Sequence, residues 1–180
     1  MTSIRQAGSA DADAVLRLFD DAIAWFVATG NTGQWGSEPF SSQQKQVDRV
    51  RGWVTEPGAW VAEHPEAGVV GFLALGGATD YVPAATQPEV YVRVLIGSRD
   101  ARAKGTGRRL LGFADEQARA AGVDLLRVDC YAGGTGDLVR FYESCGYRPT
   151  TRFTVGAWPG QVLERTLEPR GSREPRDGRE

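Results

Sequence analysis

Arg102-Ala103-Lys104-Gly105-Thr106-Gly107, continued by Arg108 and Arg109, brings glycines and cations together in one short stretch. The preceding run, Val90 to Ile96, is β-branched and aromatic and predicts a strand. After it, Leu110, Leu111, Phe113, Ala114, Ala118 and Ala121 recur at helical spacing until Gly122 supplies a stop. A glycine-bearing turn therefore joins a strand to a helix. Glycine lets the backbone approach a ligand with no Cβ in the way. The first amides of a helix lack intrahelical partners, and the helix dipole makes that end positive. Together these features favour a phosphate or pyrophosphate. The pattern is not GxGxxG, because Gly107 runs into Arg108, Arg109 and Leu110, and no Gly-Lys-Ser/Thr follows to make a Walker loop.

The elements that must position this turn are legible as patterns. Thr2 to Gln6 reads as a first strand. Ser9 reads as the cap of a helix to about Ala28, its apolar face made by Val15, Leu16, Leu18, Phe19, Ile23, Phe26 and Val27. The loop Gly30 to Phe40 follows. Ser41 with Gln44 suggests a capping box for a second helix through Val47, Val50, Trp53 and Val54. Ala59–Glu63 and Val69–Leu75 make a hairpin around His64 to Gly68. After the turn and its helix, Leu125–Tyr131 reads as a strand and Leu138–Ser144 as a short helix capped by Asp137. Strand-like runs lie near Arg152–Val155 and Val162–Leu167. The order is β-α-α-β-β-β-α-β-α-β-β, a mixed α/β sheet flanked by helices. One domain is expected over residues 1–167. Residues 168–180 are rich in Pro, Gly and charge and read as a disordered tail.

Composition narrows the partners. A net charge of −2 argues against nucleic acid, whose binders carry a basic surface. No stretch is long and apolar enough to span a membrane, and no signal peptide is visible at Met1-Thr2-Ser3, so a cytoplasmic setting is expected. Cys130 and Cys145 have neither metal-ligand nor disulfide-framework spacing and read as free, buried thiols. With one histidine, His64, no multi-imidazole metal site is available, and no metal is expected.

The stretch Arg102 to Gly107 resembles the R-x-x-G-x-G acetyl-CoA signature of the GCN5-related N-acetyltransferase (GNAT) family. Leu138-Val139-Arg140-Phe141-Tyr142-Glu143-Ser144-Cys145-Gly146-Tyr147 resembles a second family segment, in which a helix carries a tyrosine and a glycine-aromatic step opens the next strand. The resemblance covers roughly residues 3 to 167. It implies a GNAT-type, partly splayed central sheet and transfer of an acetyl group from acetyl-CoA to a small-molecule amine, by direct attack in a ternary complex.

It also implies roles. Arg102, Ala103, Lys104, Gly105, Thr106, Gly107 and Arg108 would hold the pyrophosphate. Leu95, Ile96 and Gly97 would pair with the pantetheine arm, Gly97 departing from the family's common valine and marking either a bulge or a strand end. Thr135 stands where relatives often carry a cofactor-contacting asparagine. Tyr142 matches the tyrosine that donates to the leaving thiolate, a role suited to a hydroxyl that is neutral at pH 7.

For the general base, Asp129 reads equally as a base and as a partner of Arg127 or Arg93; Glu89, Asp80 and Glu38 are weaker candidates. Some relatives use water chains instead. Trp35, Glu38 and Trp158 are the candidate acceptor contacts; the two tryptophans, read as loop residues, suit a pocket or a homodimer contact. Trp25, Trp53 and Trp60 read as core. Glu38, Asp80 and Asp129 would suit a cationic acceptor. Two other readings keep the same turn: a CoA-binding or sensing module without catalysis, and a toxin acetylating aminoacyl-tRNA, which the acidic balance disfavours.

Overall fold

The computed structural model describes residues 1–168. Residues 169–180, nearly all of the expected tail, lie outside the described residues. The chain forms β1 (Ser3–Gln6), α1 (Ala12–Ala28), α2 (Gln44–Val54), β2 (Ala59–His64), β3 (Gly68–Gly76), β4 (Glu89–Gly97), α3 (Thr106–Ala120), β5 (Leu125–Tyr131), α4 (Asp137–Ser144), β6 (Arg148–Val155) and β7 (Trp158–Thr166). This is the expected order. The strands make one seven-stranded sheet in the order β1-β2-β3-β4-β5-β7-β6. β4 and β5 run parallel and the other neighbouring pairs are antiparallel. A parallel pair needs a crossover, and α3 supplies it.

Each face of the sheet is buried against two helices. Val15, Phe19 and Ile23 of α1 and Val50 and Val54 of α2 pack on Val61, Phe72 and Ile96. On the other face Leu110, Leu111 and Ala114 of α3 and Tyr142 of α4 pack on Leu73, Val92, Leu126 and Leu163. α3 lies directly on β3: a Cβ added to Gly71 would stand 2.6 Å from Thr106 Cγ2 and 2.9 Å from Leu110 Cδ1. The start of α3, which carries the glycine turn, is thereby fixed against the middle of the sheet.

Several local expectations are corrected. Ser9 does not cap α1. It begins a 3-10 turn, and Asp11 instead accepts from the Gly8 N–H at 2.9 Å while pairing with Arg5. Ser41 makes no capping box with Gln44; it lies in a 3-10 turn, Phe40–Ser42, and its N–H donates to Asp20 Oδ1. Val27 and Trp25 fall off the buried stripe of α1, at 48% and 43% exposed, and the Arg99 guanidinium lies 3.4 Å over the Trp25 ring. Most consequentially, the last strands are longer than their apolar runs. Trp158, Pro159 and Gly160 belong to β7, not to a loop. Proline is tolerated at the start of a strand, and here the Pro159 carbonyl accepts from the Ala132 N–H at 3.0 Å.

Arg127 is buried on β5 and bonds both Glu89 oxygens, at 2.5 and 2.8 Å, and the Pro83 carbonyl at 2.8 Å. It pins the 77–88 connection to the sheet. Removing Glu89 alone would strand a buried guanidinium, at about 3–5 kcal/mol.

Candidate active site

The site is an opening in the sheet itself. β4 and β5 pair from Glu89↔Leu125 to Val92↔Val128 and then separate. At the point of separation the β3–β4 register shifts, Ala74 facing Val94 and Leu75 facing Val92, so Arg93 is an extra residue. This bulge reverses the side-chain alternation: Val92 packs with the α3/α4 core, Val94 and Ile96 with the α1/α2 core. The bulge is therefore at Arg93. Gly97 is the end of the strand, still paired with Gly71.

The same register decides which backbone groups are available. Ser98 N–H donates to Val70 O, so the directly hydrogen-bonded pairs run Ser98–Val70, Ile96–Phe72 and Val94–Ala74. Ile96 is thus engaged with β3 and its side chain is buried. Leu95 and Gly97 turn their backbone groups toward the opening. A cavity of about 540 Å³ passes through the gap, bounded on one side by Gly107, Phe141 and Tyr142 and on the other by Phe19, Trp35, Gln46 and Trp53.

At one end lies the glycine turn. Gly105 has φ +84°, a left-handed conformation that a side chain would strain. It lets the chain turn from the 3-10 segment Ala101–Ala103 into α3, whose first amides, on Thr106, Gly107 and Arg108, have no partner within the helix. Ala103 is buried. Two of the expected cations are otherwise engaged. Arg102 makes a two-pronged pair with Asp100, at 2.9 and 2.7 Å, which holds the Asp100 carboxyl well below the usual range. Arg108 donates to the Ser144 carbonyl at 2.7 Å and hydroxyl at 2.9 Å, tying the start of α3 to the end of α4. Lys104 is exposed beside the turn. Thr135 is not brought to the cavity; its exposed hydroxyl donates to Asp137 Oδ2 at 2.6 Å.

Tyr142 is 4% exposed, and burial raises its pKa well above the usual value, so its hydroxyl stays protonated. That hydroxyl makes no hydrogen bond within the described residues, and it is not among the sealed, unpaired polar atoms. The Tyr147 hydroxyl, by contrast, is sealed and unpaired. Asp129 follows the last β4–β5 pair on β5. Neither expected arginine reaches it: Arg127 is held by Glu89 and Arg93 by Glu56 at 2.6 Å. Its partner is Tyr91, whose hydroxyl donates to Oδ1 at 2.6 Å. Burial raises the Asp129 pKa, with the Tyr91 bond opposing. Cys130, buried beside it, has its thiol pushed up to about 12 and is protonated at neutral pH.

The far side of the cavity departs most from expectation. Trp35 lines it while packing on Phe19, Phe26 and Phe40. Trp158 Nε1 donates to the Gln34 carbonyl at 3.0 Å, fastening the α1–α2 loop over the opening. Glu38, Asp80 and Glu89 do not line the cavity. Glu38 is exposed, Asp80 belongs to a separate hollow by the 77–88 connection, and Glu89 is committed to Arg127. The lining residues that the sequence does not mark include Gln46, Arg49, Arg93, Arg99 and Tyr81. A signal for two of them existed: Gln46, Arg49 and Trp53 are spaced as one stripe of α2.

The sequence matches the model of the Acetyltransferase (GNAT) family over residues 21–147, a span holding the glycine turn, Asp129 and Tyr142. The chain belongs to the GNAT acetyltransferase family. Solved structures of GNAT proteins share its fold. A GNAT-family acetyltransferase from Listeria monocytogenes 4b F2365 is 16% identical, with a TM-score of 0.69 over 92% of this chain and 95% of that one. The PaiA N-acetyltransferase from Thermoplasma acidophilum, solved with coenzyme A, is 15% identical, with a TM-score of 0.67 over 93% and 99%. YncA from Salmonella typhimurium, solved with its cofactor acetyl-CoA, is 17% identical, with a TM-score of 0.59 over 97% and 98%. No curated protein sequence matches this GNAT chain. Among its described residues no cluster of potential metal ligands occurs, and no helix is long and apolar enough to cross a membrane.

Proposed function

We propose that this GNAT protein transfers an acetyl group from acetyl-CoA to the amine of a small molecule by direct attack within a ternary complex. One observation carries the reading: an unpaired, protonated Tyr142 hydroxyl stands in a sheet opening whose other end is a helix N-terminus with free amides. The residues present fit acetyl-CoA. Thr106, Gly107 and Arg108 offer amides to a pyrophosphate, and Lys104 adds charge. Leu95 and Gly97 offer backbone groups to the amide-bearing arm, as an added strand would use them. The ligands of the Thermoplasma and Salmonella structures support the same choice.

When bound, acetyl-CoA supplies a thioester, whose carbonyl carbon is open to an amine. The chain does the rest. Asp129 takes the proton from the acceptor ammonium; its raised pKa brings its basicity closer to neutrality. Tyr142 donates its proton to the departing sulfur as the C–N bond forms and the C–S bond breaks, and the second proton that the nitrogen sheds on becoming an amide restores the Tyr142 hydroxyl. Cys130 remains a thiol and offers no nucleophile, which supports direct transfer over a covalent acyl-enzyme. The α1–α2 loop, held by Trp158, limits water at the reacting end.

Calorimetric titration with acetyl-CoA, followed by a free-thiol assay over a panel of amines, tests this. Micromolar binding with amine-dependent thiol release is the expected result. Absence of binding refutes the assignment of residues 95–108. Binding without release on any amine favours a sensing module.

A further inference from the structure

We infer that the acceptor is an amine that also carries a carboxylate, held by Arg49 and Arg93. This rests on the acetyl-transfer reading above and names the class of its second substrate. The charge balance of the cavity is the first ground. Among the described residues its charged lining is Arg49, Arg93, Arg99 and Asp129, so cations outnumber the one carboxylate there. Of the three acidic residues that would suit a cationic acceptor, Asp129 lines the cavity and Glu38 and Asp80 do not.

The placement of the two arginines is the second. Arg93 is the bulge residue where β4 leaves β5. Its Nη1 is bonded to Glu56, which steadies the guanidinium and leaves its other donors uncommitted among the described residues. Arg49 makes no ion pair among the described residues. It lies 5.9 Å from the Trp53 ring centre, within cation–π range, on the α2 stripe facing the cavity. Each guanidinium presents a fork of parallel donors that matches a planar carboxylate.

The third ground is Asp129, which lines the same cavity and would receive the amine proton. An amine and a carboxylate on one small molecule engage Arg49, Arg93 and Asp129 at once.

The test compares α-, β- and γ-amino acids with their carboxamides and with the corresponding alkylamines in the free-thiol assay. Acetyl-CoA binding is measured by calorimetry as a control. Carboxylates should exceed their carboxamides by about tenfold or more in kcat/KM, the scale of a charged hydrogen bond. Arg49→Gln should raise KM for the acid about tenfold and leave that for the carboxamide and the affinity for acetyl-CoA unchanged. Arg49→Lys should recover part of the loss. Carboxamides or alkylamines reacting as well as the acids overturn the inference. So does a protein that binds acetyl-CoA and turns over none of the carboxylated amines. Failure to bind acetyl-CoA at all brings down the acetyl-transfer reading and this one with it.

Discussion

The two sides of the sheet opening are built by different means. The side toward α3 and α4 is made of backbone and glycine: one turn, one helix start, a strand whose register frees alternate residues, and a single tyrosine. The side toward α1 and α2 is made of side chains from separate places: Gln46 and Arg49 on a helix, Arg93 on a bulge, Asp129 on the next strand, Trp35 and Trp158 from opposite ends of the chain. A contiguous backbone device serves a ligand that does not vary. A scattered side-chain device can change its ligand without disturbing the fold. If this division holds, substitutions on one side should leave the other side's ligand alone.

The largest expected effect is on the α3 side. Gly107→Asp puts a carboxylate at the helix start and a Cβ 3.2 Å from Phe141 Cζ. Acetyl-CoA affinity should fall more than about a hundredfold by calorimetry, with thermal melting separating lost binding from misfolding. A folded variant with normal affinity would break the comparison at its clearer half.

Next come two losses of about a hundredfold in kcat, the scale of one proton-transfer group. Tyr142→Phe should slow turnover while leaving acetyl-CoA affinity and stability intact, because the hydroxyl has no hydrogen bond among the described residues to lose. Asp129→Asn should slow turnover and remove the acid limb of the kcat/KM profile, whose inflection in the parent lies above the ordinary carboxylate pKa of 3.8. Its stability should move the other way. A carboxyl with a raised folded pKa contributes its stability below the unfolded value and loses it as pH rises through the folded one. At pH 7 the buried charge is a cost, which asparagine removes. The variant should therefore melt at or above the parent temperature at pH 7, and the gain should vanish below pH 3.8.

The smallest effect sharpens the far side. Trp158→Phe removes the bond to the Gln34 carbonyl, a loss of about 1 kcal/mol. It should raise the acceptor KM about fivefold and spare acetyl-CoA affinity.

The same division explains what was legible. Gly105, Gly107 and Tyr142 lie in contiguous motifs, and helix and strand periods set the element order around them. The point where β4 leaves β5 was invisible, because a bulge such as that at Arg93 depends on what faces it: Ala74 and Leu75 on β3. Asp129 was singled out as a charge on a central strand, but its partner Tyr91 lies 38 residues away, on a neighbouring strand. Trp158 looked like a loop residue because Pro159 and Gly160 interrupt the apolar run; pairing with Val155 makes it strand. Arg102 and Arg108 read as phosphate contacts, yet Asp100 and Ser144 hold them, and only the folded chain brings Ser144 near.

The central claim is that acetyl-CoA lies in the gap between β4 and β5 with its phosphates on the start of α3. Hydrogen–deuterium exchange with and without saturating acetyl-CoA tests it most directly. Protection of the amides at Leu95 and Gly97 and at Thr106 to Arg108, with the β6–β7 hairpin unchanged, is the predicted result. Saturable binding that protects neither segment would contradict it.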